Sequence, residues 1–272
     1  MRKRFVTIVF MVTTVSILIG CSGSDKPAER RRPVPKRPSA STDSKTVTAA
    51  VASTGTAVIT GEITFEGKAP KKWTKSLAED MAVESVCIAE YSDDPVSDSI
   101  VLGKENQLAN VFVHIAKGVP TNAEYATPSE PVVIDQKGCM YKPHVVGAMV
   151  GQEIKILNSD GIMHNVHALP AKNTEFNKAM PKTRKTYSHT FEEAEPIFPI
   201  KCDVHPWMGG YIGISNHPFF NVTDIEGKFE IRNLPAGTYD VKAWHEKLGT
   251  QTQAVTVEDG KTHTLNFTLS KS

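Results

Sequence analysis

The run Cys202-Asp203-Val204-His205-Pro206-Trp207-Met208 sets a thiol, an imidazole and a thioether inside seven residues. Thiolate and thioether are soft donors that, with imidazole, suit copper. Two imidazoles and a thiolate in one plane, with a weak axial Met, make an electron-transfer copper site. This loop supplies one imidazole, so a second has to come from elsewhere. Upstream, Asn158-Ser159-Asp160-Gly161-Ile162-Met163-His164-Asn165-Val166-His167 offers two. Strand alternation separates them, because residues three apart point to opposite faces. His164 shares its face with Val166 and Ala168, which makes it the core-facing candidate ligand and leaves His167 as a surface histidine.

Outward from these segments the chain reads as strand after strand. Ile59, Gly61, Ile63 and Phe65 share one face, and Val111, Val113 and Ile115 another. Further runs cover 152–157, 164–169, 187–191, 211–215, 228–231, 238–244, 253–257 and 262–269. Turn signals separate them, such as Glu226-Gly227-Lys228 and Pro235-Ala236-Gly237. This is the spacing of an all-β sandwich fold. The exception is Trp73, Leu77 and Met81, whose helical spacing predicts one short helix within 75–90. With 40% apolar and 22% charged residues among 272, the chain is globular, and its 18 Gly and 17 Pro favour turns over long helices.

The N-terminus reads differently. Arg2-Lys3-Arg4 precede an uncharged apolar run from Phe5 to Gly20, which is a secretory signal in outline, residues 1–20. The run is shorter than the roughly 20 apolar residues a spanning helix needs, and no basic flank follows it. Leu18-Ile19-Gly20-Cys21 resembles a bacterial lipobox, which implies lipidation of Cys21 and a place in the bacterial cell envelope, periplasmic or on the outer surface. Residues 21–55 then form a basic, Pro- and Ser-rich tether with no core-forming content. The first 45 residues hold ten of the 31 basic residues but three of the 30 acids, so the remainder is net acidic and unsuited to nucleic acid.

The middle of the chain, roughly Pro131 to Asn216, resembles the cupredoxins, or blue copper proteins. The resemblance runs through Gly151-Gln152-Glu153, the Met163–His167 run, Tyr187-Ser188-His189-Thr190-Phe191-Glu192 and the Cys-x₂-His-x₂-Met loop. The short His-to-Met spacing is similar to the amicyanin branch rather than to plastocyanin. The resemblance implies one copper ion, Cu²⁺/Cu⁺, with His164, Cys202 and His205 as equatorial ligands and Met208 as the axial one. It also implies that Asn165 bonds across to the loop near Asp203. Met163, Pro206 and Trp207 would surround a partly exposed edge of His205 as a docking patch for transient redox partners, a cytochrome or a periplasmic oxidoreductase. With Cys21 taken by lipid and Cys202 by metal, Cys87 and Cys139 remain as a disulfide pair. A competing reading groups Cys139, Met140 and His144 as a second, weaker copper site.

Toward the C-terminus, Gly227-Lys228-Phe229-Glu230-Ile231 followed by Leu234-Pro235-Ala236-Gly237-Thr238-Tyr239-Asp240-Val241 resembles the carboxypeptidase regulatory-like, transthyretin-like β-sandwich. The early Gly61–Gly67 and Ala109–Ile115 strands look like the opening of the same module. The expected layout is therefore a regulatory-like sandwich split into 56–127 and 217–272, with a cupredoxin Greek-key sandwich at 128–216 inserted in it or followed by it. Bacterial chains of this combination are often called methylamine-utilization-protein-like. The implied function is a lipid-anchored electron carrier and not an enzyme. The alternatives are a copper-delivery lipoprotein, or an envelope adhesion or carbohydrate-contacting module with incidental copper.

Overall fold

The computed structural model of the protein describes residues 55–271. The signal segment, Cys21 and nearly all of the tether lie outside them. Strand accounts for 47% and helix for 6%, so the fold is all-β.

Two β-sandwiches carry it. In the first, Ala57–Glu66 is the hub of one sheet. Lys228–Leu234 pairs antiparallel along one edge of it, and Thr262–Thr264 and Phe267–Ser270 pair parallel along the other. The facing sheet runs Phe220–Val222, Phe112–Lys117, Gly237–His245, Gly249–Val257. Alternation turns Ile59, Ile63 and Phe65 inward to meet Val113, Ile115, Val241 and Phe267, all buried. Each such side chain contributes about 1.5–3 kcal/mol when fully removed from water.

The second sandwich has one sheet in the order Val145–Met149, Gly209–Ser215, Glu195–Lys201, His164–Ala168, Phe176–Met180. The other runs Tyr141–Lys142, Val132–Gln136, Ile154–Asn158, Thr186–His189. Ile154, Ile156, Val166, Phe191, Phe198, Ile200 and Ile212 fill its core. Its strands form a continuous run in sequence, whereas those of the first sandwich come from both sides of that run.

Three expectations are corrected here. The run 262–269 is two strands, because Gly61 brings the Leu265 carbonyl to 1.9 Å from where a Cβ would stand, and Asn266 Oδ1 accepts the Glu62 N–H in place of a main-chain oxygen (2.9 Å). The single helix within 75–90 is a 3₁₀ turn at Lys71–Trp73 and two short helices, Ala78–Met81 and Ser85–Ala89. Trp73, Leu77 and Met81 are all buried, but Trp73 joins the first sandwich core while the other two pack with Cys87, Cys139 and Met140. One periodicity therefore serves two clusters. Finally, His144 stands against no thiol ligand: its Nε2 meets Glu246 Oε1 at 2.5 Å, and Cys139 is bonded to Cys87, which removes the Cys139–Met140–His144 copper site.

That His144–Glu246 contact joins the two sandwiches, as does the Tyr211–Trp244 ring pair at 4.9 Å. Gly147 and Gly213 are direct cross-strand partners, and a Cβ on either would lie within 2.8 Å of the Phe112 ring. The paired glycines open a flat slot in which a ring of one sandwich lies on the sheet of the other. No helix among the described residues is long and apolar enough to cross a membrane.

Candidate metal centre

Cys202 directly follows the strand Glu195–Lys201, and Met208 directly precedes Gly209–Ser215. The loop between them closes on itself: the Met208 N–H donates to the His205 carbonyl (2.9 Å) and the Cys202 N–H to the Met208 carbonyl (3.0 Å). This turns Cys202, His205 and Met208 inward together, each at most 3% exposed. His164 opens the neighbouring strand His164–Ala168 and is fully buried. Its Nδ1 lies 2.9 Å from His205 Nδ1, and Cys202 Sγ lies 3.7 Å from that same nitrogen. Donor atoms of His164, Cys202 and His205 all fall within 4.8 Å of one another.

Asn165 laces this loop to the strand. Its Oδ1 accepts the Asp203 N–H (2.7 Å), and its Nδ2 donates to Asp203 Oδ2 (3.1 Å) and to Asn177 Oδ1 (2.7 Å). Asp203 Oδ2 also meets Asn177 Nδ2 and His167 Nδ1, at 2.7 and 3.0 Å. The Lys201 hydrogen bond, with these partners, holds the Asp203 carboxyl down at about 2. His167 is thus half-buried and braces the loop, rather than being a free surface histidine.

Two residues the motif reading overlooks complete the setting. Asp160 Oδ2 holds His164 Nε2 at 2.8 Å, and its carboxylate accepts the Gly138 and Cys139 N–H groups, each at 2.8 Å. Tyr141, fully buried, donates its hydroxyl to the Asn165 carbonyl (2.7 Å) and the Lys201 carbonyl (3.0 Å), tying together the backbones beside both ligand segments. The available signal for Asp160 was its i, i+4 offset from His164. Tyr141 offered none.

The electrostatics follow from these contacts. Burial alone would push the Cys202 thiol up, but hydrogen bonds from His164, His205 and main-chain N–H groups outweigh it and bring the thiol down to about 6. Burial would likewise depress His164, yet Asp160 and Cys202 raise it to about 9. At neutral pH the metal-free centre is a buried thiolate–imidazolium–carboxylate row. Because Asp160 takes the Nε2–H, the free lone pair of neutral His164 sits on Nδ1, facing His205 and Cys202. A preformed thiolate beside two imidazole nitrogens and a buried thioether fits a soft or borderline ion such as copper.

The residues expected at the docking patch differ in exposure. Met163 and Val204 are 41% and 47% exposed, Pro206 is exposed and Trp207 half-buried. His205 is 3% exposed, which corrects the partly open edge: Trp207 packs over its ring at 5.1 Å, and the Cys87–Cys139 sulfurs lie within 4.8 Å of one of its ring nitrogens.

Residues 216–270 match the model of the carboxypeptidase regulatory-like domain. No curated protein matches the chain significantly. Among solved structures, an oxidised amicyanin variant is 26% identical, with 31% of this chain and 82% of that one covered and a TM-score of 0.29. A purple cupredoxin from Nitrosopumilus maritimus is 23% identical, with 31% and 99% covered and a TM-score of 0.27. A copper-containing nitrite reductase from Thermus scotoductus is 22% identical, with 37% and 25% covered and a TM-score of 0.29, so the chain spans a quarter of that enzyme's length. Residues 216–270 are thus similar to a carboxypeptidase regulatory-like domain, and part of the chain is similar to solved amicyanin and cupredoxin structures.

Proposed function

We propose that the protein is a one-copper electron carrier of the bacterial cell envelope, anchored through a lipid on Cys21 and serving transient redox partners. The observation that carries this reading is the convergence of His164, Cys202 and His205, buried donors from two neighbouring strand ends within 4.8 Å of one another, with Met208 buried in the loop that Cys202 and His205 share. Copper, when bound, supplies a one-electron couple.

The chain's own residues do the rest. Asp160 orients His164, Asn165 and Tyr141 lock the loop to the strand, and the closed turn from Cys202 to Met208 fixes the remaining donors. A donor set held this firmly needs little rearrangement on a change of charge, which favours fast electron exchange. The low exposure of all four side chains keeps water from the donors. Met163, Val204 and Pro206 give an apolar surface next to the ligand segments, suited to a small and short-lived interface.

The test is the visible absorption spectrum after Cu(II) loading. The wild type is expected to show an intense thiolate-to-copper charge-transfer band that Cys202→Ser abolishes, with reversible one-electron reduction. A colourless wild type overturns the proposal, and rapid loss of copper to a mild chelator would replace the carrier with a delivery protein.

A further inference from the structure

The disulfide does not lie at a distance from the centre. Cys87 and Cys139 Sγ and a ring nitrogen of His205 fall within 4.8 Å of one another, and Cys139 Sγ is equally close to donor atoms of Asp160 and His164. Both cysteines are fully buried, in a cluster that includes Leu77, Met81 and Met140 and sits apart from the two sandwich cores. We propose that Cys87 and Cys139, once reduced, form with His205 a second site for a thiophilic metal ion, Cu(I) or a d¹⁰ divalent ion, and that this site excludes the first by taking His205 from it.

Two thiolates and one imidazole are a soft donor set of the kind such ions select. The surroundings are soft as well, since the thioether residues Met81 and Met140 pack in the same cluster. The step balances with an external dithiol or phosphine as reductant: the sulfur–sulfur bond takes two electrons and two protons to give two thiols, the reductant is oxidised, and binding of the ion then releases the two thiol protons. Burial does not seal the pair. Cys87 sits in the five-residue helix Ser85–Ala89, which follows the four-residue Ala78–Met81, and neither has a side-chain cap. Short uncapped helices on a small cluster belong to the low end of local stability, where opening admits a reductant.

The dithiolate site stands by itself, while the exclusion rests on the copper reading above, because only there is His205 a ligand of the first site. The full chain carrying Cys21→Ser and Cys202→Ser keeps Cys87 and Cys139 as its only cysteines. After phosphine reduction it is titrated with Cd(II) under argon, following cadmium–thiolate absorption. One equivalent is expected to bind to the reduced protein and none to the oxidised one, with affinity falling about tenfold or more when His205→Ala is added. No thiolate band on reduction overturns the site. Equal affinity with and without His205 also overturns it, and that is what an unfolded dithiol would give. In the reduced chain with Cys202 retained, one equivalent in total supports exclusion and two independent equivalents overturn it. Failure of the Cu(II) colour test in the oxidised wild type would leave the cadmium readout untouched, so the two proposals fail separately.

Discussion

The two sandwiches bury histidine to opposite ends. In the first, burial drives His114 and His245 down to about 4, so both are neutral rings at neutral pH: His114 stacks on Phe112 at 5.3 Å, and His245 Nε2 has no partner. In the second, His164 is as deeply buried as His245, with His114 only half-buried, yet Asp160 and Cys202 carry it up to about 9. Burial is common to both, and what differs is the compensating charge. A buried histidine kept neutral is packing, whereas one kept charged by a thiolate and a carboxylate marks chemistry.

The sharpest way to break this contrast is Asp160→Ala. It strips His164, Gly138 and Cys139 of their common acceptor, and loss of one partner of a buried pair costs about 3–5 kcal/mol. Copper affinity should fall about 10–100-fold as His164 loses its orientation. Thermal melts and competition with a chromophoric chelator measure both, and a near-wild-type result would reduce Asp160 to a bystander.

Acid titration probes the other side. His245 is 1% exposed and titrates at about 4 when folded against an ordinary 6.5, so the unfolded chain binds the extra proton first. Its contribution is complete above pH 6.5 and is lost as pH falls toward 4, on the order of 3 kcal/mol. His245→Gln should flatten that part of the pH–stability curve, as followed by denaturant melts.

For the metal-free second sandwich, Cys202 is a thiolate above about pH 6 and His164 keeps its proton to about 9, so metal must displace one proton in between. Copper affinity is therefore expected to rise about tenfold per pH unit from 6 to 9, and a pH-independent affinity would contradict the charged row. The smallest effect belongs to Lys201→Met. Removing the exposed Lys201–Asp203 contact (2.9 Å) should let the Asp203 carboxyl climb from about 2 toward the ordinary range, visible by NMR titration, with the melting temperature almost unmoved.

Much of the site is written in adjacent residues. Cys202, His205 and Met208 share a loop, and the period of two separates His164 from His167, so residue type and spacing were enough to nominate them. Asp160 was hidden because its other partners, Gly138 and Cys139, come from a different turn that only folding brings near. Strands covered on both faces lose alternation, which is why Val145–Met149, packed beneath Phe112 and Phe220 on one side and the second core on the other, left no period to read. Glu195–Lys201 was masked by Pro196 and Pro199, tolerated because its pairing to His164–Ala168 begins only at Ile200.

The hub strand Ala57–Glu66 has a consequence for biogenesis. It is synthesised before the whole second sandwich, yet its partners Lys228–Leu234, Thr262–Thr264 and Phe267–Ser270 come only after it. While the chain emerges, the second sandwich can fold as soon as residue 215 is free, but the hub strand waits for residues 228–234 to cover one edge and for residues 262–270 to cover the other. Such non-local closure is slow and exposes a strand edge to other chains. Removal of Phe267–Ser270 would leave the Ile63–Glu66 edge open to other chains while the Cys202–Met208 loop, on the other sandwich, stayed intact.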